Sequence, residues 1–124
     1  MITIKNCIVP FIGFKAMTIW PFVFVRDDVR YNAIDKAHEE IHGRQQIEVS
    51  AVCMAVLFLC GMEWWSLLGL IMFYPIYFFE WVVKLPFYQN AYRNISFERE
   101  AYGNQYDDGY LRHRKLFSFI KYLF

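Results

Sequence analysis

Cysteine, histidine, proline and glycine are all scarce in this chain, with 3, 3, 4 and 6 of them among 124 residues. Three cysteines are an odd count without C-x-x-C spacing, which argues against a disulfide framework. Surplus charge is missing too. The formal net charge is +1, and no basic stripe interleaved with stacking aromatics runs along the chain, so no nucleic-acid partner is expected. A chain this short holds one modest core and has no room for a second domain. Pro10 and Lys15 interrupt the N-terminal apolar run, so the order of regions that marks a cleaved signal peptide is not present. Nor is there an uninterrupted apolar run of the roughly twenty residues that cross a bilayer comfortably.

Apolar and aromatic side chains are what the chain has in excess. Hydrophobic residues make up 57%, aromatic residues 21%, and the mean hydropathy is +0.20, more than so short a chain can hide internally. The excess is concentrated between Val49 and Phe79, where Glu63 is the only charged side chain. Gly61, Glu63, Trp64 and Trp65 break that segment into two arms, "VSAVCMAVLFLCGM" and "WWSLLGLIMFYPIYFF". Two arrangements fit: a helical hairpin that crosses or dips into a bilayer, or the buried centre of a soluble helical domain. All 13 Lys and Arg residues lie outside Gln45 to Val83, so folding the arms into a hairpin gathers every positive charge on one side. The positive-inside rule makes that side cytoplasmic, with Trp64 and Trp65 at the tip and Trp81 and Lys84 anchoring the return. Pro75 is expected to kink the second arm.

The first 30 residues have a different character. "FKAMTIWPFVFVRDD" is rich in β-branched and aromatic residues and is punctuated by Gly13 and Pro21, which reads as two short strands forming a hairpin. Asn32 then suits an N-cap with Asp35 in the first turn, and a helix is expected to run from Ala33 to Gly61. Its aqueous end carries "HEEIH", an HExxH pattern. At about 3.6 residues per turn, His38 and His42 project from one face one turn apart, so both imidazoles can reach a single zinc ion. Glu39 lies about a quarter turn round the helix, beside such an ion, where its carboxylate can take a proton from a zinc-activated water. Glu40 is assigned to solvent.

A catalytic zinc needs a third protein ligand and an open position for water. "NISFEREAYGNQ", residues 94 to 105, offers one on a helix expected over 96–106 with Ser96 as its cap. Glu98 and Glu100, two residues apart, point to roughly opposite faces, so only one of them can reach the ion. If Glu100 were the ligand, Asn104 would sit one turn later in a supporting place. Gln45 and Gln46 lie one to two turns past the histidine pair, where an amide could bond to a ligand or to substrate, or simply form a polar collar.

HExxH followed, after an apolar segment, by a Glu in an E-x-x-A setting resembles the gluzincin branch of the zincin metalloproteases. The membrane-embedded members, such as the CAAX prenyl proteases and their bacterial heat-shock counterparts, are the nearest in style, and small bacterial proteins with HExxHxxQ and a later "FEREAY"-like stretch are similar. The resemblance implies zinc held by His38, His42 and Glu98, with Glu39 as general base and a peptide or membrane-protein substrate. Where that branch has E-x-x-A-D, its Asp supporting a zinc-bound His, this chain has Tyr102. Tyrosine cannot supply that charged partner. The resemblance also implies an edge strand that pairs with extended substrate, for which "PFVFVRD" is the candidate.

The remaining conspicuous residues take plainer readings. Cys53 and Cys60 share a helix face in an apolar segment and read as small hydrophobes. His113 reads as a surface histidine, and with Tyr102, Tyr106 and Tyr110 it is a minor candidate for stabilising an oxyanion at the metal. "YLRHRKLFSFIKYLF", residues 110–124, sets a basic cluster beside Leu116, Phe119, Ile120 and Leu123 at helical spacing, which fits an amphipathic helix on anionic headgroups or against the zinc domain. The sequence thus predicts a mostly helical α+β fold in a single domain: strands over 1–30, the HExxH helix with the first apolar arm over 33–61, the second arm over 64–83, a Glu-bearing helix and a basic amphipathic C-terminal helix. The function it points to is zinc-dependent peptide hydrolysis at the cytoplasmic face of a membrane, by a monomer or a homo-oligomer. The rival is a noncatalytic membrane protein with a structural, sensory or vestigial zinc site.

Overall fold

A computed structural model describes residues 2–6, 16–28 and 30–123. Cys7, Pro10, Gly13 and Lys15 lie outside them. The chain is mostly helical with one small sheet, so it is α+β. Among the described residues the sheet has three strands where two were expected: β1 (Ile2–Asn6), β2 (Ala16–Ile19) and β3 (Phe22–Arg26). β2 and β3 form the antiparallel hairpin, turning at Trp20 and Pro21, and β1 adds parallel to the far side of β3. This corrects the reading of "PFVFVRD" as a substrate-pairing edge. β3 is central, its backbone is engaged on both sides, and Val23 and Val25 alternate into the core. The edge beside the first helix is β2.

That helix, α1 (Ala33–Leu59), starts at Asn32, whose side chain accepts from the amides of Ile34 and Asp35 while Asp35 accepts from the Asn32 amide. This reciprocal box satisfies donors that the first turn leaves without helical partners. Gln46 fastens the sheet to α1: its amide nitrogen donates to the Thr18 carbonyl at 2.5 Å and its oxygen accepts from the Trp20 amide at 2.8 Å. It is therefore a structural tie and not a collar. At Gly61 (φ 80°) and Glu63 (φ 38°) the backbone takes left-handed conformations that reverse its direction.

The second arm is not one helix. Glu63–Ile71 is a 3-10 segment, α2 runs over Phe73–Lys84, and the two are bent by 56°. The break falls at Met72, and Pro75 sits in the first turn of α2, where its missing N–H costs nothing. The 3-10 segment lies close against α1 because Gly69 has no side chain: a Cβ there would come within 2.5 Å of the Met54 amide nitrogen. Trp64 and Trp65 at the tip are 83% and 68% exposed, and Leu59, Ile71, Phe79 and Phe87 are also largely exposed. Among the described residues no single helix is long and apolar enough to cross a membrane, while the bent pair passes that test jointly.

α3 (Ser96–Asn104) packs on α1 through Phe97 and Ala101. Ser96 is its first residue and not its cap. Glu80 of α2 takes that role, accepting from the Ser96 amide and, at 2.6 Å, from its hydroxyl. Lys84, expected as a surface anchor, is 2% exposed and donates to Glu80 at 3.0 Å and to the Asn94 carbonyl at 2.5 Å. The expected helix over 110–124 is broken. α4 covers only Tyr110–His113, Arg114 is extended, Phe117 is left-handed (φ 57°), and a 3-10 turn follows over Ser118–Tyr122. The helical spacing of Leu116, Phe119 and Ile120 loses to Arg114, whose buried guanidinium draws the chain inward. Phe119 packs on Phe97 with ring centroids 4.7 Å apart, while Leu116 is left outside.

Gly69→Ala should lower stability in detergent by about 1–3 kcal/mol, the usual cost of forcing extra carbon into a packed contact. Thermal unfolding at wild-type temperature would contradict the close approach at Met54.

Candidate metal centre

Three donors converge where α1 faces α3. His38 Nε2 lies 3.1 Å from Glu98 Oε2, His42 Nε2 lies 3.3 Å from Glu98 Oε1, and the two Nε2 atoms are 3.1 Å apart. All three residues are buried, and their donor atoms lie within 4.8 Å of one another. The HExxH spacing stacks the two imidazoles on one face of α1, edge to face at 4.7 Å between centroids. α3 supplies Glu98 alone, since Glu100 points to its other side.

The outer nitrogens of both rings are committed. His38 Nδ1 is 2.9 Å from Gln105 Oε1, and His42 Nδ1 is 2.8 Å from Gln45 Oε1. The Gln45 amide has one possible orientation, because its nitrogen donates to the Phe97 carbonyl and to Glu100 Oε1, both at 3.0 Å. Its oxygen must therefore accept from His42 Nδ1–H. That leaves the His42 Nε2 lone pair aimed at a second imidazole nitrogen and a carboxylate. Lone pairs so placed need a cation or a proton between them. This donor set, two imidazole nitrogens and one carboxylate oxygen, fits zinc.

Electrostatics agree with that requirement. Burial disfavours the charged form of His42, but the Glu98 carboxylate outweighs it and raises the pKa to about 9. Burial likewise opposes ionisation of Glu98, yet the charge on His42 and hydrogen bonds from both imidazoles hold its carboxyl well below the usual carboxylate range. Tyr77 adds a hydroxyl donated to Glu98 Oε1 at 2.5 Å.

Glu39 lies beside the cluster, 8% exposed, and receives the Thr18 hydroxyl on Oε2 at 2.5 Å. Two clefts reach it. One, of about 640 Å³, is bordered by Asn32, Asp35, Tyr102 and Gln105; the other, of about 490 Å³, by Met17, Phe73, Tyr74, Phe78 and Trp81. Ala16, His38, Glu39 and Tyr92 border both. Glu40, assigned to solvent, is half-buried.

Glu100 belongs to a different network. It receives Arg114 Nε at 2.5 Å, Arg114 Nη2 at 3.0 Å and the Tyr110 hydroxyl at 2.6 Å, while Arg114 also binds Glu48. Burial raises the Glu100 carboxyl, but hydrogen bonds from Arg114, Tyr110 and Gln45 outweigh it and lower the pKa. Several anticipated helpers stand elsewhere. Asn104 donates to the Glu100 carbonyl at 2.8 Å and to Tyr122, Tyr110 serves Glu100, and exposed His113 pairs with Asp107 at 3.3 Å. Tyr106 is 72% exposed on the rim of the larger cleft. Tyr102 does reach the site, its ring 4.6 Å from that of His38 with the Arg93 guanidinium on it at 4.5 Å, but it packs the imidazole without supporting it.

Sequence reading missed Gln105, Thr18, Tyr77, Arg114 and Glu48. Gln105 carried a usable signal, seven residues after Glu98 and so two turns on along one face. The others come from distant elements and had none. Compared with protein-family models, curated proteins and solved structures, the chain matches nothing.

Two outcomes follow from these networks. Arg114→Met strands Glu48 and Glu100 in the interior and should cost about 3–5 kcal/mol, much of it regained when both are also changed to Gln. Unfolding of Arg114→Met within about 1 kcal/mol of wild type would show the network to be dispensable. In the metal-free protein, the raised His42 pKa contributes stability that is complete below its unfolded value of 6.5 and lost as pH rises through about 9. The melting temperature of chelator-treated protein should therefore fall across that window and stay flatter in His42→Asn; equal slopes would rule out the charged pair.

Proposed function

We propose that the chain is a zinc-dependent peptide hydrolase working at a membrane surface. His38, His42 and Glu98 hold the metal, and Glu39 is the general base. The observation that carries this reading is the convergence of two imidazole Nε2 atoms and a carboxylate whose outward partners are already fixed by Gln45 and Gln105. Zinc bound there supplies a Lewis acid that acidifies water and polarises a peptide carbonyl. Everything else falls to the chain's own residues. The Thr18 hydroxyl occupies Glu39 Oε2, which leaves Oε1 to take a proton from the attacking water and pass it to the leaving amine. Gln45 and Gln105 hold the ligand rings in the tautomer that presents Nε2, a role that amides fill with less charge than the Asp of the resembled branch.

The hairpin supports the membrane part of the reading. The apolar end of α1, Val49–Leu59, is about 16 Å long at about 1.5 Å per residue, roughly half of a hydrocarbon core. It suits insertion from one side, with the basic residues, together with the site, left at the cytoplasmic surface.

Glu39→Gln should keep about one zinc per chain by elemental analysis while peptide hydrolysis falls by about 10²–10⁴-fold; His42→Ala should lose both. Wild-type turnover in metal-loaded Glu39→Gln would remove Glu39 from the mechanism. Zinc retained with no hydrolysis by any variant would favour a structural site.

A further inference from the structure

The two clefts that meet at Glu39 differ in chemistry. The larger has a mixed border, with Asn32, Asp35 and Gln105 beside Ile34, Tyr102 and Tyr106. The smaller is walled by Met17, Phe73, Phe78 and Trp81, and His42 and Glu98 lie at its inner end. Its outer wall is α2, the second arm of the hairpin. Phe78 on its rim is 61% exposed, and Phe79, Val82 and Val83 on the same helix are exposed beside it at 70%, 43% and 43%. The apolar side of this cleft therefore adjoins the exposed apolar face of α2.

A soluble peptide site has no need of such an opening. Exposed apolar surface on both the rim and the adjoining helix is costly in water and costs nothing in lipid. A volume of about 490 Å³ takes a large aliphatic or aromatic side chain together with its neighbouring backbone. On the other side of His38 and Glu39, polar chain is better accommodated than apolar chain, because the Asn32, Asp35 and Gln105 groups would lose hydration against an apolar residue.

Resting on the hydrolase reading, we propose that the site takes a peptide straddling the membrane boundary, with apolar residues on one side of the scissile bond entering from lipid past Phe78. Polar residues on the other side lie in the cleft beside Gln105. The substrate class is thus the juxtamembrane end of an apolar segment, and α2 is both membrane anchor and specificity wall.

The test uses full-length Glu39→Gln protein in nanodiscs, loaded with zinc. The probe is a synthetic peptide with a Leu/Phe-rich half joined to a Gln/Ser/Arg-rich half, carrying a benzophenone side chain in one half or the other. Photolabelling mapped by mass spectrometry should place the apolar-half probe on Met17, Phe78 or Trp81 and the polar-half probe on Tyr102 or Tyr106. Phe78→Lys, a change at an exposed rim that leaves the zinc content intact, should weaken binding of the same peptide by about tenfold or more, read by fluorescence anisotropy. Labelling of one cleft by both halves, labelling outside the clefts, no labelling, or unchanged affinity in Phe78→Lys overturns the proposal. Wild-type cleavage of uniformly polar peptides with the same efficiency would overturn it too, while leaving the hydrolase reading in place. Segregated labelling without hydrolysis by wild type would uphold the cleft assignment and remove the hydrolase reading.

Discussion

Two imidazole nitrogens and a carboxylate are held within contact distance of one another in a buried place, and most of the polar interior is arranged around that fact. Neutral imidazoles do not attract each other through their lone pairs, and a lone buried carboxylate is costly. The cluster persists because each member is fastened from behind. Gln105 holds His38, Gln45 holds His42, and Tyr77 holds Glu98. Gln45 is itself fixed by Glu100, which is fixed by Arg114, which also reaches Glu48 immediately before the first apolar arm. Buried polar groups are tolerated when such a network is satisfied throughout. The C-terminal segment enters it as well, since the Phe117 amide donates to Glu48 at 2.9 Å.

The same economy governs the hairpin. α1 carries the two histidines in its first half and becomes apolar only from Val49, so one continuous helix sets the distance between the site and the apolar arms. The 3-10 segment returns beside it, and α2 then serves three purposes: Tyr77 touches Glu98, Glu80 caps α3, and Phe78 and Trp81 wall a cleft. Glu80 and Lys84 neutralise each other while satisfying the start of α3 and the Asn94 carbonyl. An ion pair of this kind contributes orientation more than stability. It fixes where α3 begins and hence which of its faces meets α1.

Local sequence carried α1 and α3 well. Asn32 and Asp35 announced the start of α1, Gly61 its end, and the two-residue spacing of Glu98 and Glu100 required that they separate, as they do. Which of the two would face the histidines depended on the docking of α3, and that is set by Glu80, Phe97 and Ala101. Long-range partners explain the other departures. β1 joins β3, with β2 between them in sequence, so its pairing left no periodic trace. Lys84 looked like an interfacial anchor because its acceptors, Glu80 and the Asn94 carbonyl, are defined by the fold. Residues 110–124 had an amphipathic period, but the demand of Glu48 and Glu100 for a guanidinium outweighed it. Thr18, which orients Glu39, came from a strand that gave no chemical signal at all.

The space among His38, His42 and Glu98 is where a bound metal would reveal itself most directly. X-ray absorption at the zinc edge, on protein purified in detergent and supplied with one equivalent of metal, would test for it. Two imidazole nitrogens at about 2.0–2.1 Å with oxygen completing a four-coordinate shell, and loss of the imidazole signal in His38→Ala, is the predicted result. Zinc bound through sulfur, or a shell unchanged by His38→Ala, would place the metal elsewhere and contradict the account.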